Sequence, residues 1–250
     1  NTNIIGTLNL LESIRKINSI KSVVIITTDK VYEISKKNKS YKETDRLGGL
    51  DPYSTSKAGA ELIVNSYVNS FFYGTHLKNK VSTVRAGNVI GGGDFSKNRL
   101  IPDIIKSLNN KTVLKVRNPN HIRPWQHVIE PLIGYLALAE KQYNGSINKD
   151  SFSWNFGPDS NSFKKVINVI KLIQKKEYFK FTIVKSTKIE TQVLKLNSKK
   201  ANQKLRWRSK WNLNKSIEKV LEWNNLVNKK IPAKKVCEKQ FMMYIYNKKF

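Results

Sequence analysis

The sequence predicts an α/β fold in which a sheet of parallel strands is followed by a smaller mixed domain. Three observations carry that expectation. Apolar residues at helical spacing give way to a short continuous apolar run, the same succession recurs further along the chain, and each run stops at polar residues or glycines. With 250 residues, 39% of them hydrophobic, the chain can bury a sizeable core in one large or two small domains.

Taken in order, Ile4, Ile5, Leu8, Leu11, Ile14 and Ile17 recur at helical spacing, so a helix is expected over 4–17. Val23, Val24, Ile25 and Ile26 then form the run that a parallel strand buried on both faces needs, ending at Thr27, Thr28 and Asp29. After a polar loop containing Gly48, Gly49 and Pro52, a long helix is expected over 53–72. Residues 82–89 read as a second strand ahead of a Gly91-Gly92-Gly93 turn. Helix, strand, helix and strand in that order indicate right-handed crossovers.

Beyond Gly93 the rhythm changes. Helices are expected over 102–108, 131–141, 163–174 and 217–223, with short strands over 113–116, 153–157 and 181–184. The Lys-rich stretch 228–235 reads as a mobile connection to the tail. One domain is therefore expected over 1–93 and a second over 94–250, with some of its segments returning to the first sheet.

Composition excludes several classes. Cys237 is the only cysteine, which rules out an internal disulfide, and no apolar run approaches the roughly 20 residues that cross a bilayer. A reducing, cytoplasmic setting with no membrane partner follows. The formal charge of +28 invites a nucleic-acid reading, but lysine outnumbers arginine 38 to 8, asparagine adds 27, and the lysines are scattered through every segment. A nucleic-acid binder concentrates arginine, whose planar fork reads phosphates and bases, so no nucleic-acid partner is expected. His76, His121 and His127 have no cysteine or carboxylate cluster beside them, which leaves no metal site and makes His127 structural.

The chemistry begins with Tyr53 and Lys57, spaced Y-x-x-x-K on the first turns of the long helix. Residues four apart share a helical face, so the ammonium can approach the phenol and favour the phenolate, a poised general base. Tyr32 with Lys36 and Tyr244 with Lys248 have the same spacing, and context chooses among them. Only Tyr53 opens a helix after a buried strand that ends in Thr-Thr-Asp, and in an open parallel sheet ligands bind beyond the carboxyl ends of the strands.

That arrangement, with Asn3-Ile4-Ile5-Gly6-Thr7 as an N-x-x-G-T helix, resembles the extended branch of the short-chain dehydrogenase/reductase family. Thr28-Asp29-Lys30 stands where the similar dTDP-glucose dehydratases carry Thr-Asp-Glu, and the lysine variant resembles the dehydratases that act on CDP-glucose. The stretches 47–54, 85–94, 122–128, 154–158 and 211–213 extend the likeness along nearly the whole chain.

The resemblance implies a partial Rossmann-type doubly wound parallel sheet, with the smaller mixed domain holding the substrate. It implies NAD as cofactor, with Thr27, Tyr53 and Lys57 beside it, and CDP-glucose as substrate, with Asn88, Arg99 and Arg123 around the sugar and diphosphate. In the implied reaction Tyr53 removes the C4 hydroxyl proton as hydride passes to NAD, and Thr28 hydrogen-bonds the same oxygen. Asp29 then protonates the departing C6 hydroxyl and Lys30 takes the C5 proton, yielding a 4-keto-6-deoxy sugar for deoxysugar synthesis. Desolvation has to keep Asp29 protonated, and burial or nearby cations have to free Lys30 of its proton; side by side, the two also read as a plain ion pair.

No G-x-x-G-x-x-G loop occurs in the sequence, and Gly91, Gly92 and Gly93 follow the wrong strand to replace it. The sequence opens at Asn1 inside a helix, so we expect the glycine loop in preceding coding sequence, and weak NAD binding and no activity from these residues alone. Another nucleotide-sugar dehydratase or an epimerase would share Thr28, Tyr53 and Lys57, and a non-catalytic binding module also stays open. The family implies a homo-oligomer paired through the helices beginning near Asn3 and Tyr53.

Overall fold

A computed structural model describes residues 1–34, 39–147, 152–185 and 193–246. Lys36 and Lys248, partners in the two competing Y-x-x-x-K spacings, lie outside the described residues. The elements in chain order are α1 (Ile4–Arg15), β1 (Val23–Ile26), α2 (Pro52–Ser70), β2 (Val81–Ala86), β3 (Val89–Ile90), α3 (Leu100–Asn110), β4 (Leu114–Val116), β5 (Ile122–Pro124) and β6 (Gln126–His127). They continue with α4 (Ile129–Tyr143), β7 (Ser153–Phe156), β8 (Phe163–Lys165), α5 (Val166–Gln174), β9 (Phe181–Ile183), α6 (Lys199–Leu205), α7 (Leu213–Asn228) and α8 (Ala233–Tyr246).

The chain divides into two units. The first comprises Asn1–Gly87, Pro131–Gly157 and Leu194–Arg208, and the second Asn88–Glu130, Pro158–Val193 and Ser209–Phe250. The passage out of the first unit thus falls at Gly87, ahead of the position 93 read from the sequence.

Unit 1 is built on a parallel sheet of order β1-β2-β7, with Val23 opposite Val81 and Thr83 opposite Ser153. Because side chains alternate along a strand, β2 serves two faces. Val81 joins Leu11, Ile14, Val64 and Tyr67 under α1 and α2, whereas Val84 joins Leu138, Trp154, Phe156, Leu205 and Trp207 under α4 and α6. Gly134 lets α4 approach closely, since a Cβ there would lie 2.4 Å from the Phe156 ring. β1 is less enclosed than its four apolar residues suggest: Ile25 is buried but Ile26 is 53% exposed, and among the described residues β1 pairs only with β2.

The polar residues of β2 are the unexpected part of this core. Arg85 is 1% exposed, Glu61 on α2 is 0% exposed, and they pair bidentately, Nε to Oε1 at 2.8 Å and Nη2 to Oε2 at 2.7 Å. The Thr27 hydroxyl donates to Glu61 Oε1 at 2.5 Å and the Thr83 hydroxyl to Oε2 at 2.6 Å. Arg85 Nη1 donates to the Tyr32 hydroxyl at 2.7 Å, which donates to Asn155 Oδ1 on β7 at 2.7 Å. Burial pushes the Glu61 carboxyl up, but the Arg85 guanidinium and the two hydroxyls outweigh it and hold the group below the usual carboxylate range.

Among its described residues unit 2 contains three two-stranded sheets, β3 with β6 and β4 with β9 in parallel, and β5 with β8 antiparallel. Ile101, Ile104, Val169, Ile173, Ile217 and Val220 of α3, α5 and α7 form its main core. The residues expected as one strand over 82–89 are two strands in different sheets, because β2 ends its pairing at Ala86 opposite Phe156 and Val89 takes up Gln126. The residues read as helix from 163 begin as β8, which pairs with β5 before the chain turns into α5. The 228–235 stretch, read as a mobile connection, comprises the last residue of α7, a turn over 229–232 closed by the Lys230 amide on Val227 O and the Ile231 amide on Leu226 O, and the first residues of α8. Gly92 is required for packing: a Cβ there would lie 2.1 Å from Trp223 Cγ.

Two outcomes test this frame. Replacing Glu61 with Gln leaves Arg85 buried without its counter-charge, so denaturant unfolding should show a loss of about 3–5 kcal/mol; a loss under about 1 kcal/mol contradicts the pairing. His127 is 4% exposed and burial, with Lys219 nearby, pushes its imidazole down from 6.5 to about 4. Its contribution to stability is thus complete above the unfolded value and is lost as pH falls from 6.5 through about 4, when the unfolded chain takes up the proton first. The His127 ring resonances should stay flat from pH 7 to about 5 in an NMR titration, and a midpoint above 6 contradicts the burial.

Candidate active site

α2 begins where it does because Asp51 caps it and Pro52 is preset for the first turn. The Asp51 carboxylate accepts from the Ser54 amide at 3.0 Å and the Ser54 hydroxyl at 2.7 Å. Gly49 closes the preceding loop onto this turn, since a Cβ there would lie 2.4 Å from the Thr55 nitrogen. The first turns of α2 carry Tyr53, 50% exposed, and half-buried Lys57, whose ammonium donates to the Ile26 carbonyl at 3.1 Å. Desolvation pushes the Lys57 amine below the usual lysine value. Lys57 thus sits at the carboxyl end of β1, as the sequence reading required.

Beyond β1 the chain tightens into a 3-10 turn, Asp29–Val31. The Thr28 hydroxyl caps that turn, accepting from the Lys30 amide at 3.4 Å, and donates to Asp29 Oδ1 at 3.1 Å. Thr28 and Asp29 are buried, at 8% and 4% exposure. Val31 is fully buried in a cluster with Ala58, the α2 residue after Lys57, and with Tyr32, Tyr41 and Leu196. Thr28, Asp29 and Lys57 are therefore brought to one end of one strand. Lys30 points away from this enclosure: it is exposed, and its charge helps hold the Asp51 carboxylate below the usual range, after burial, which opposes it, and Ser54. Burial, one of the two routes by which the sequence reading freed Lys30 of its proton, is not seen at this exposed residue. Thr27, expected beside the cofactor, donates its hydroxyl to Glu61 Oε1 and the Val84 carbonyl.

The three residues expected to hold substrate lie on separate elements of unit 2. Asn88, half-buried at the break before β3, accepts the Gln126 amide on its carbonyl at 3.1 Å. Arg99 is the N-cap residue of α3, largely exposed, with Nη1 3.4 Å from Asp94 Oδ2. Arg123 on β5 is 8% exposed, with Nη1 donating to the Ile122 carbonyl at 3.0 Å and Nη2 3.2 Å from His121 Nδ1. Among the described residues no cluster of three or more His, Cys, Asp or Glu could hold a metal ion, and no helix is long and apolar enough to cross a membrane.

The family model described as GDP-mannose 4,6 dehydratase matches residues 1–220. The chain belongs to that family. Members similar to it include the CDP-glucose 4,6-dehydratase of Salmonella typhimurium, 39% identical over 229 residues, which cover 89% of this chain and 64% of that protein. The dTDP-D-glucose 4,6-dehydratase of Dictyostelium discoideum is 30% identical over 67% of this chain and 39% of its own length. The chain thus spans less than two thirds of these two curated relatives. Among solved structures, the dTDP-glucose 4,6-dehydratase of Bacillus anthracis in complex with NAD superposes with a TM-score of 0.75 at 23% identity, over 90% of this chain and 68% of that one. At that identity the likeness establishes the Rossmann-type α/β fold.

Within this dehydratase-family chain, sequence reasoning missed the polar frame of Glu61, Arg85, Tyr32 and Asn155. Two signals were available. Glu61 continues the Tyr53 and Lys57 spacing by one more turn, and an arginine inside Val81-Ser82-Thr83-Val84-Arg85-Ala86 needs a buried counter-charge. The site residues, by contrast, carry little of the fold. Tyr53→Phe and Lys57→Met should each lower unfolding free energy by less than about 1.5 kcal/mol, the scale of one lost hydrogen bond, in a denaturant titration; losses like that expected for Glu61→Gln would make them part of the frame instead.

Proposed function

We propose that the protein is an NAD-dependent dehydratase that converts CDP-glucose to CDP-4-keto-6-deoxyglucose, a step of deoxysugar synthesis in the cytoplasm. The observation that carries the proposal is the placement of the Lys57 ammonium on the last carbonyl of β1, with Tyr53 one helical turn before it and Thr28 and Asp29 just beyond. The choice of CDP-glucose is supported by the 39% identity to the Salmonella enzyme and by Lys30 after Thr28-Asp29.

The residues present fit the nicotinamide end of the cofactor. An ammonium has three donors, and Lys57 spends one on Ile26, leaving two for ribose hydroxyls beside the half-exposed Tyr53. When bound, NAD supplies the redox partner that makes C4 a ketone and is afterwards restored. Tyr53, one helical turn before Lys57, takes the C4 hydroxyl proton, and Thr28 donates a hydrogen bond to the same oxygen. The C4 ketone acidifies C5, whose proton passes to Lys30 while Asp29 protonates the departing C6 hydroxyl, so that water leaves; C6 then takes up the hydride removed from C4 and C5 takes a proton, which gives the 4-keto-6-deoxy sugar. The assignment of Asp29 as acid and Lys30 as base is supported by the family likeness of Thr28-Asp29-Lys30. These groups belong to unit 1, the NAD-binding domain. Arg123, Arg99 and Asn88 are the residues that the family likeness assigns to the diphosphate and the sugar. The protein acts as a homo-oligomer, supported by Ile5, Leu10 and Leu62, which α1 and α2 leave exposed.

The full-length protein incubated with CDP-glucose and NAD in deuterated water should yield a 4-keto-6-deoxy nucleotide sugar carrying deuterium at C5. Tyr53→Phe should lower kcat by about 10²–10⁴. A C4 epimer in place of the keto product overturns the dehydration, and turnover of another nucleotide sugar but not CDP-glucose overturns the substrate.

A further inference from the structure

The segment 28–31, which holds Thr28-Asp29-Lys30, is flanked by Thr27 and Tyr32, and both flanking side chains end on the same buried ion pair. On one side the Thr27 hydroxyl reaches Glu61 at 2.5 Å; on the other Arg85 reaches the Tyr32 hydroxyl at 2.7 Å. The pair is locked in two directions, because a guanidinium fork on a carboxylate fixes angle as well as distance. An apolar contact of the same size would allow sliding.

The helix side of the pair is equally directional. Lys57 and Glu61 lie four residues apart on α2, and they hold consecutive residues of the strand end, the Ile26 carbonyl and the Thr27 hydroxyl. Successive turns of α2 thus grip the last residue of β1 and the residue after it, which sets the rotation of the helix that carries Tyr53. Tyr32 is secured further by stacking on Tyr41 at 4.8 Å between centroids and by the Arg85 guanidinium 4.8 Å above its ring. Its hydroxyl passes the constraint to Asn155, whose side-chain amide donates to the Tyr41 carbonyl at 2.9 Å.

We propose that Glu61 and Arg85 are positioning residues for the reaction, acting through Thr27 and Tyr32 to hold the Thr28-Asp29-Lys30 segment in register with Tyr53 and Lys57. The pair touches no reacting atom. It determines where Thr28 and Asp29 stand relative to the helix that bears the phenol. The kinetic part of this proposal rests on the dehydratase reading; the structural part does not.

Removing Glu61 or Arg85 itself would endanger the fold, so the test uses the two ends of the frame in the full-length protein. Thr27→Val and Tyr32→Phe each delete one hydroxyl and keep the shape. Without any substrate, amide hydrogen exchange at residues 28–31 should accelerate about tenfold or more in both variants while β2 amides stay protected. With CDP-glucose, kcat should fall about 10–100-fold with KM within about twofold, as misplacement by about an ångström does. Thr27→Ser, which keeps the hydroxyl, should recover most of the rate. Unchanged exchange at 28–31, equal acceleration throughout β2 and α2, or loss of rate that Thr27→Ser does not recover would each overturn the proposal. Faster exchange at 28–31 in a protein whose wild type dehydrates no nucleotide sugar would uphold the frame and sink the reaction alone.

Discussion

A carboxylate and a guanidinium shut away from water govern the organisation of unit 1. Burying either charge alone costs several kcal/mol, so the arrangement persists only because each is satisfied by the other and by surrounding donors and acceptors. Glu61 accepts from Arg85, Thr27 and Thr83, and Arg85 also donates to Tyr32 and the Glu43 carbonyl. These partners come from β2, α2 and the segment between β1 and α2, so one polar cluster ties that segment to the elements that an apolar cluster of Ile25, Val64 and Val81 already joins. Beyond it lies a second polar layer. Glu43 accepts the Asn155 amide at 2.9 Å, and Lys200, which donates to the Ser153 carbonyl at 2.6 Å, is pushed down to about 8 by burial despite the opposing charge of Glu43.

The consequence for chemistry is a division of labour. Groups buried in the frame keep their positions at the cost of being unavailable to a ligand, as Thr27 illustrates. Groups just outside it, Tyr53 and Lys57, keep access while inheriting the frame's geometry through the α2 backbone. Asp29 and Lys30 divide the same way on a smaller scale, one side chain enclosed and its neighbour exposed. An acid and a base held a residue apart neutralise each other when their environments match; different exposures are a physical means of keeping them distinct.

Much of this was legible in the sequence where local periodicity decides structure. The repeat from Ile4, the apolar run at Val23 and the polar loop of Gly48, Gly49 and Pro52 ahead of Tyr53 each describe a segment by its own residues, and α1, β1 and α2 stand where those signals place them. Legibility failed where partner choice decides. Nothing local says that the strand through Arg85 must break at Gly87, since Ala86 and Val89 are separated only by which strand each finds to pair with. The three residues of β8 look helical until β5 supplies hydrogen bonds to them. α8 was missed because a lysine-rich composition masks the positions at which Val236, Gln240 and Tyr244 recur on its buried face. In the site, the Tyr53 and Lys57 spacing was legible, but the Arg85 partner was not, because a strand residue and a helix residue that meet in space leave no spacing between them to read.

The central claim is that this polar frame delivers Tyr53 and Thr28 to a single atom of a nucleotide-linked hexose. A crystal structure of the full-length protein with NAD and an unreactive CDP-sugar addresses it directly. The account predicts the Tyr53 and Thr28 hydroxyl oxygens both within about 3.2 Å of the C4 oxygen, with the Glu61 and Arg85 pair intact behind them. A sugar bound with C4 turned away from both hydroxyls, or the two hydroxyls directed to different atoms, would contradict it.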